Sequence, residues 1–312
     1  MSNLLFCLMG PTAVGKTDVA CELVQHFPFE IISVDSAMIY RDMNIGTAKP
    51  AKNTLKDAPH HLIDILDPVD SYSAALFCED VIRISLTIRE KGKIPLLVGG
   101  TMMYFKALQQ GLSLLPEADE SVRATLFKKA SQHGWPFMHA ELSRIDPITA
   151  ARIHPNDTQR IQRALEVYEL TQRSLSDFFI SPKIAVSHQF VNLILMPQSR
   201  VWLHERIEKR FEYMLAEGLI GEVENLITKW GVNKTHPSTR SVGYRQVMDY
   251  LEGSLPLHEL SLKGIAATRQ LAKRQLTWLR HWPEGHILVA ENQLKLTEIM
   301  AITEQILDNF KL

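Results

Sequence analysis

The 312-residue chain is poor in cysteine: only Cys7, Cys21 and Cys78 occur. An odd, scattered set with no C-x-x-C pair argues against a disulfide framework and against a zinc module. Cys7 lies in an apolar run and Cys21 in a helical pattern, so packing is the expected role, in a reducing compartment. No apolar run approaches the roughly 18–20 residues needed to span a bilayer. No Lys or Arg precedes Lys16, so the basic start of a signal peptide is missing; a cytoplasmic location is expected. Charge of neither sign dominates, with 34 Lys plus Arg against 35 Asp plus Glu. Nucleic-acid binding, if present, must then come from local patches. Repeats and low-complexity segments are missing too. What remains is a chain with 46% hydrophobic residues, long enough for one large domain or two modest ones.

Its most informative stretch is Gly10-Pro11-Thr12-Ala13-Val14-Gly15-Lys16-Thr17. It follows the apolar run Leu4 to Met9 and precedes an amphipathic stretch from Asp18 to Phe27. This is the P-loop pattern G-x-x-x-x-G-K-S/T in a strand–loop–helix setting. Backbone N–H groups can turn inward around phosphate oxygens, and the new helix adds its positive end. Lys16 supplies a point charge and Thr17 a hydroxyl for Mg²⁺. A di- or triphosphate site follows, with no indication yet of the reaction.

Up to about Leu115, strands alternate with helices. Glu30–Val34 reads as a second strand ending at Asp35, and Ile94–Val98 as a third ending at Gly99-Gly100-Thr101. Ser71 or Ser73 can cap a helix running to about Lys91, with Gly92 as its stop. Short apolar strands separated by helices predict an α/β fold, a P-loop parallel sheet flanked by helices. Ligands in such sheets sit beyond the carboxyl ends of the strands, where the P-loop, Asp35 and Thr101 all fall. Residues 117–190 are polar and helical, with stops at His133-Gly134, Asp146-Pro147 and His154-Pro155. They read as an all-helical insertion between core segments 1–116 and 191–312. Val191–Met196 restores a strand, helices follow at Arg200–Gly218 and Ser261–Leu279, and His286–Ala290 is a possible closing strand.

Asp35 could hold Mg²⁺ through water, act as a general base, or cap the next turn. Arg210, in Arg206-Ile207-Glu208-Lys209-Arg210-Phe211, reads by periodicity as part of a solvated helix face. Between Ser261 and Pro283 stand five cations (Lys263, Arg269, Lys273, Arg274, Arg280) and no acid. Gln270, Gln275, Trp278, His281 and Trp282 are interleaved, which suits phosphate contacts plus base stacking, or else a solvated helix with core tryptophans. Further polar clusters are Gln159-Arg160-Ile161-Gln162-Arg163 and Arg240-Ser241-Val242-Gly243-Tyr244-Arg245; Gly243 permits a tight turn and Tyr244 could stack. His60-His61 has no partner at metal-ligand spacing and reads as structural.

Together GPTAVGKT at 10–17, SVDSAMIYRDMNIGTAKP at 33–50, APHHLIDI at 58–65, LLVGGTMMYFKAL at 96–108, ARIHPNDTQRIQRALEVYELT at 151–171, RSVGYRQ at 240–246 and ATRQLAKRQLTWLRHW at 267–282 resemble the tRNA dimethylallyltransferases (tRNA isopentenyltransferases) in their bacterial form. The resemblance spans most of the chain. It implies transfer of a dimethylallyl group from dimethylallyl diphosphate to N6 of the adenine 3′ of the anticodon, in tRNAs reading codons that begin with U. The P-loop then holds a prenyl diphosphate rather than ATP, with Mg²⁺ at Thr17, and Lys16 and Arg210 contact the diphosphate. The resemblance makes Asp35 the base, with Thr101 bonding near the amine. For the anticodon stem-loop it implies contacts from residues 35–38 (Asp35, Ser36, Ala37, Met38), Thr101, Arg123, residues 159–163 and 240–245, and Arg274, Gln275, Trp278, Arg280 and His281. No membrane partner and a monomer are expected.

Three rivals stay open on the residues alone. A P-loop kinase fits the loop but leaves the basic helix unexplained and lacks an arginine-rich lid. A prenyltransferase acting on free adenine nucleotides gives the insertion nothing to grip. A non-catalytic RNA-binding module conflicts with intact Lys16, Thr17, Asp35 and Thr101.

Overall fold

The computed structural model describes residues 3–113, 115–180, 188–292 and 295–310. The chain divides into two compact units, residues 110–186 and the two flanking segments together.

The flanking unit begins with β1 (Leu4–Met9), α1 (Lys16–His26), β2 (Phe29–Val34), α2 (Lys52–Asp57) and the two-residue β3 (His60–His61). Then come α3 (Ala74–Glu90), β4 (Ile94–Gly99) and α4 (Met102–Gln110). Ser73 caps α3 by accepting from the Leu76 N–H, which selects it over Ser71. The helical unit holds α5 (Glu120–His133), α6 (Trp135–Ile145), α7 (Pro147–Ala150), α8 (Thr158–Thr171) and α9 (Leu175–Ile180). Asp119, Asp146 and Asp157 cap α5, α7 and α8, each satisfying backbone donors that a helix start leaves unpaired. The chain then returns through β5 (Gln189–Met196), α10 (Arg200–Ala216), α11 (Leu219–Trp230), α12 (Tyr244–Leu251), α13 (Leu257–Arg280), β6 (His286–Val289) and α14 (Lys295–Phe310).

The six strands form one sheet in the order β3-β2-β4-β1-β5-β6, and every pairing is parallel. β1, β2 and β4 are buried throughout; β1 and β4 are accordingly apolar along their length rather than alternating, and β2 carries the buried polar residues Glu30 and Ser33. Phe6, Phe29, Leu96 and Leu195 share a cluster with Val19 and Leu23 of α1 and Ile299 of α14. A second cluster joins Ile207 and Phe211 of α10, Leu219 and Val223 of α11, Tyr244 of α12 and Leu276 of α13. Both clusters leave the carboxyl ends of β1, β2 and β4 open, where loops 10–15, 35–50 and 100–101 emerge. The helical unit has its own core of Leu126, Met138, Leu142, Ile161 and Leu165.

Sequence reasoning missed β3, whose two histidines pair with Ile31 and Ile32 in a run too short to show a period. It also started the basic helix at Ser261, whereas α13 begins at Leu257 after Pro256. His61 Nε2 bonds Glu30 Oε1 at 2.7 Å and His60 Nδ1 donates to Ala58 O at 2.6 Å. Among the described residues no group of three or more His, Cys, Asp or Glu side chains could hold a metal ion, and no helix is long and apolar enough to cross a membrane.

Candidate functional site

Two cavities open at the carboxyl ends of the strands. The first, of about 280 Å³, is lined by Thr12, Ala13, Gly15, Lys16 and Thr17 of the P-loop, by Ser33 and Asp35, by Gly99-Gly100 and by Arg206 and Arg210. Met38, Ala48, Pro50, Val98 and Leu271 give it an apolar side. The second, of about 520 Å³, is lined by Asp35, Ser36, Ala37, Thr101, Tyr104, Arg240, Ser241, Val242, Arg274 and Trp278. Thr12, Asp35, Gly100, Arg210, Leu271 and Gln275 line both. The walls shared by the two cavities therefore include the carboxylate named as base.

The Lys16 ammonium donates to the carbonyls of Gly10 at 2.9 Å and Pro11 at 2.8 Å. Burial first, then the charge of Arg210, pulls its pKa down to about 7, with Asp35 opposing them. Cations are thus crowded where an anion would relieve them. Ala13 and Gly15 hold positive φ, 64° and 98°. Val14 is packed in the core, and the carbonyls of Pro11 and Ala13 accept from Lys16 and Arg206. One loop amide is already engaged: Thr12 N–H donates to Gln275 Oε1 at 2.8 Å.

The two arginines come from one helix. Positions 206 and 210 are i and i+4 on α10 and face the same way. Arg206 Nε donates to Ala13 O at 2.7 Å, and its guanidinium lies over the Trp202 ring at 4.9 Å. Arg210 donates to Thr47 O at 3.2 Å. Burial lowers the Arg210 pKa, Asp35 raises it, and Arg206 lowers it again. The solvated-face reading of Arg210 fails, because the helix face carrying it is turned into the cleft. Arg206 was missed as a site residue; its four-residue spacing from Arg210 was the available signal.

Asp35 does what a turn-capping Asp does, and more. Its Oδ1 accepts from the N–H groups of Ala37 at 2.8 Å and Met38 at 3.2 Å. That fixes the carboxylate, and no described residue donates to Oδ2. Thr101 Oγ1 accepts from Ser36 N–H at 3.2 Å and faces the second cavity only. Gly99 is required by space, and Gly100 abuts the end of a side chain. A Cβ at Gly99 would meet Val34 O at 2.0 Å, and one at Gly100 would meet Gln275 Nε2 at 2.5 Å.

Beside its cations the first cavity has oxygen donors, with Thr17, Ser33, Asp18 and Asp35 among the residues that line it. This chemistry suits Mg²⁺, a hard cation that favours oxygen ligands.

The surface reads differently from the sequence in several places. Lys273, Arg274, Trp278 and Arg280 are exposed on α13, as is His281 just past its end, and Lys106 lies over the Trp278 ring at 5.3 Å. Lys263 and Arg269 are paired with Glu259 and Glu208, which reduces the basic face to three cations. Gln275 is turned inward, donating to Gly100 O at 2.9 Å while accepting from Thr12, and it lines both cavities rather than the exposed face. Tyr244 is not available for stacking: its ring is buried and its hydroxyl donates to Glu222 Oε1 at 2.6 Å. Gly243 is buried with φ 92° and starts α12, while Arg240 and Arg245 are exposed. Met38 lines the first cavity rather than the second.

In the helical unit, Gln159 and Arg160 are exposed. Ile161 is fully buried in that unit's core, so its side chain cannot touch RNA. Arg123 and Arg163 grip the buried Glu166 at 2.8 and 2.7 Å, and Gln162 donates to Arg123 O. Burial tends to raise the Glu166 pKa, but the bonds from these arginines outweigh it and hold the carboxyl below its ordinary range.

The model of the IPP transferase family matches residues 38–282. The chain belongs to this family. It is 60% identical to the tRNA dimethylallyltransferase of Legionella pneumophila (strain Lens) over 309 residues, covering 99% of each chain. It is 51% identical to that of Coxiella burnetii (strain Dugway 5J108-111) over 297 residues, 95% of this chain and 96% of the other. The crystal structure of the tRNA isopentenylpyrophosphate transferase from Bacillus halodurans matches with a TM-score of 0.71 at 35% identity, over 99% of this chain and 98% of that one. A eukaryotic dimethylallyltransferase captured acting on tRNA matches with a TM-score of 0.81 at 25% identity, over 99% of this chain and 80% of the other. The P-loop and parallel sheet expected from the sequence are those of this family.

Proposed function

We propose that the protein transfers the dimethylallyl group of dimethylallyl diphosphate to N6 of the adenine 3′ of the anticodon, in tRNAs reading codons that begin with U. The observation that carries this reading is the position of Asp35 on the wall shared by two cavities. One has cations and a P-loop for a diphosphate and an apolar side for a prenyl chain. The other opens past Thr101 to Arg240, Arg274 and Trp278, where a base drawn out of its stack can enter.

In the reaction the N6 lone pair attacks C1 of the allyl group. The C1–O bond breaks and its electron pair leaves with the diphosphate. Charge grows on the leaving oxygens, where Lys16, Arg210 and the free loop amides neutralise it. Mg²⁺ at Thr17 would add further charge neutralisation there. N6 is a weak nucleophile because its lone pair is delocalised, so a positioned base raises the rate by about 10²–10⁴-fold. Asp35 Oδ2 takes the N6 proton, Oδ1 staying fixed by two backbone donors, and Thr101 orients the amine. The exposed face of α13 and the segment 240–245 hold the anticodon arm. Residues 117–190 act as a tRNA-binding insertion through exposed Gln159 and Arg160. The three free cysteines fit a cytoplasmic setting.

The test is incubation with Mg²⁺, labelled dimethylallyl diphosphate and an unmodified tRNA of this class. Label is expected on one adenine and is lost when that adenine is replaced by guanine. Consumption of ATP with a small acceptor, and no prenyl transfer, would overturn the reading.

A further inference from the structure

Glu222 lies in the first turn of α11, and sequence reasoning gave it no role. Its carboxylate accepts three consecutive backbone N–H groups: Oε2 those of Asn44 at 2.9 Å and Ile45 at 2.7 Å, and Oε1 that of Gly46 at 3.1 Å. Oε1 also accepts the Tyr244 hydroxyl at 2.6 Å. Four donors on one carboxylate make a strong, oriented clamp, since bonds to a charged acceptor are stronger than neutral ones.

The clamped loop has turn bonds of its own, Ala48 N–H to Ile45 O and Lys49 N–H to Asn44 O at 2.9 Å each, but no other described group takes the N–H groups of Asn44, Ile45 and Gly46. Asp42 and Ala48 on either side of it sit at φ 62° and 50°, a region that costs a non-glycine residue energy unless its surroundings impose it. At Gly46 a Cβ would meet the Tyr244 ring at 2.5 Å, so loop and ring are in direct contact. The next residue, Thr47, offers the carbonyl that Arg210 uses, and Ala48 lines the first cavity. Tyr244 belongs to the segment whose Arg240, Ser241 and Val242 line the second cavity.

We propose that Glu222 is a positioning residue for prenyl transfer: it locks loop 44–47 so that the Thr47 carbonyl aims Arg210 at the diphosphate, and through Tyr244 ties that loop to the acceptor side. It touches neither substrate. The inference rests on the function proposed above and concerns that same site.

The experiment is a double-mutant cycle of Glu222→Gln with Arg210→Gln, read as KM for dimethylallyl diphosphate, KM for tRNA and the thermal midpoint. Wild-type transfer is measured alongside, so failure of the functional reading shows as no transfer by any form. With wild-type transfer intact, Glu222→Gln is expected to raise the donor KM about tenfold, the scale at which linked groups couple. In the Arg210→Gln background the further rise should vanish. A merely structural role would lower the thermal midpoint and give the same rise in both backgrounds, and that result, or an unchanged donor KM, overturns the proposal. Should Glu222→Gln fail to fold, Tyr244→Phe removes one of the four donors and serves in the same cycle. A smaller rise that disappears with Arg210→Gln supports the proposal, and an uncoupled rise or none contradicts it.

Discussion

The Gln275 carboxamide on α13 accepts the Thr12 backbone N–H at 2.8 Å and so joins the P-loop to the helix that carries the basic face. Its other end donates to Gly100 O at 2.9 Å. One side chain therefore braces the wall common to both cavities. Gln275→Leu leaves a backbone donor and a backbone acceptor unpaired, worth about 1–3 kcal/mol each when buried. The expected result is a donor KM raised by about tenfold or more together with a lower thermal midpoint. Gly100→Ala pushes on the same amide and should act in the same direction. Donor titrations and thermal melts of both variants check this.

Lys16 gives a pH signature. Its pKa falls to about 7 in the free protein, below the unfolded value. Between these two values the unfolded chain binds more protons, so this group makes stability rise with pH from about 7 upward. A bound diphosphate restores the charged form, and binding at pH 8 should take up roughly one proton. Affinity from this source should weaken as pH rises above 7. Calorimetry with inorganic pyrophosphate in two buffers of different ionisation enthalpy measures the uptake. Lys16→Met should abolish it, and equal heats in both buffers for wild type would count against the charge state.

Trp278 stands exposed beside the second cavity. Stacking of a base on an aromatic ring is worth about 1–3 kcal/mol. Trp278→Ala should raise the tRNA KM by about tenfold or more with the donor KM unchanged. Steady-state kinetics with each substrate varied in turn separate the two.

Neighbouring residues of the helical unit should part company. Arg160→Ala should weaken tRNA binding and flatten its salt dependence at unchanged stability. Ile161→Ala removes a fully buried side chain and should cost about 2–5 kcal/mol of stability. Binding titrations at several salt concentrations, with denaturant melts, distinguish them. Equal effects on RNA affinity from both would contradict the burial of Ile161.

Much of this was legible beforehand because the signals are local. The apolar runs of β1 and β4 announce buried parallel strands, and the glycines and Lys16 announce the phosphate cradle between β1 and α1. Periodicity separates inside from outside only when a helix has a wet face. Arg206 and Arg210 point into a polar cleft, so their face looked solvated. Tyr244 and Gln275 were misplaced for the opposite reason: both are polar groups paired inward, with Glu222 and with backbone, across long separations in sequence. Arg123 of α5 likewise meets Glu166 of α8, a partner visible only once the two helices are packed, whereas Arg163 reaches the same carboxylate within α8 at the i,i+3 spacing.

The central claim is that one carboxylate, set between a diphosphate pocket and a base pocket, accepts the proton that prenyl transfer releases. The most direct measurement is single-turnover transfer by Asp35→Asn beside its tRNA dissociation constant. The account predicts a rate lower by about 10²–10⁴-fold with tRNA affinity retained. Equal losses of rate and affinity, or a rate close to wild type, would contradict it.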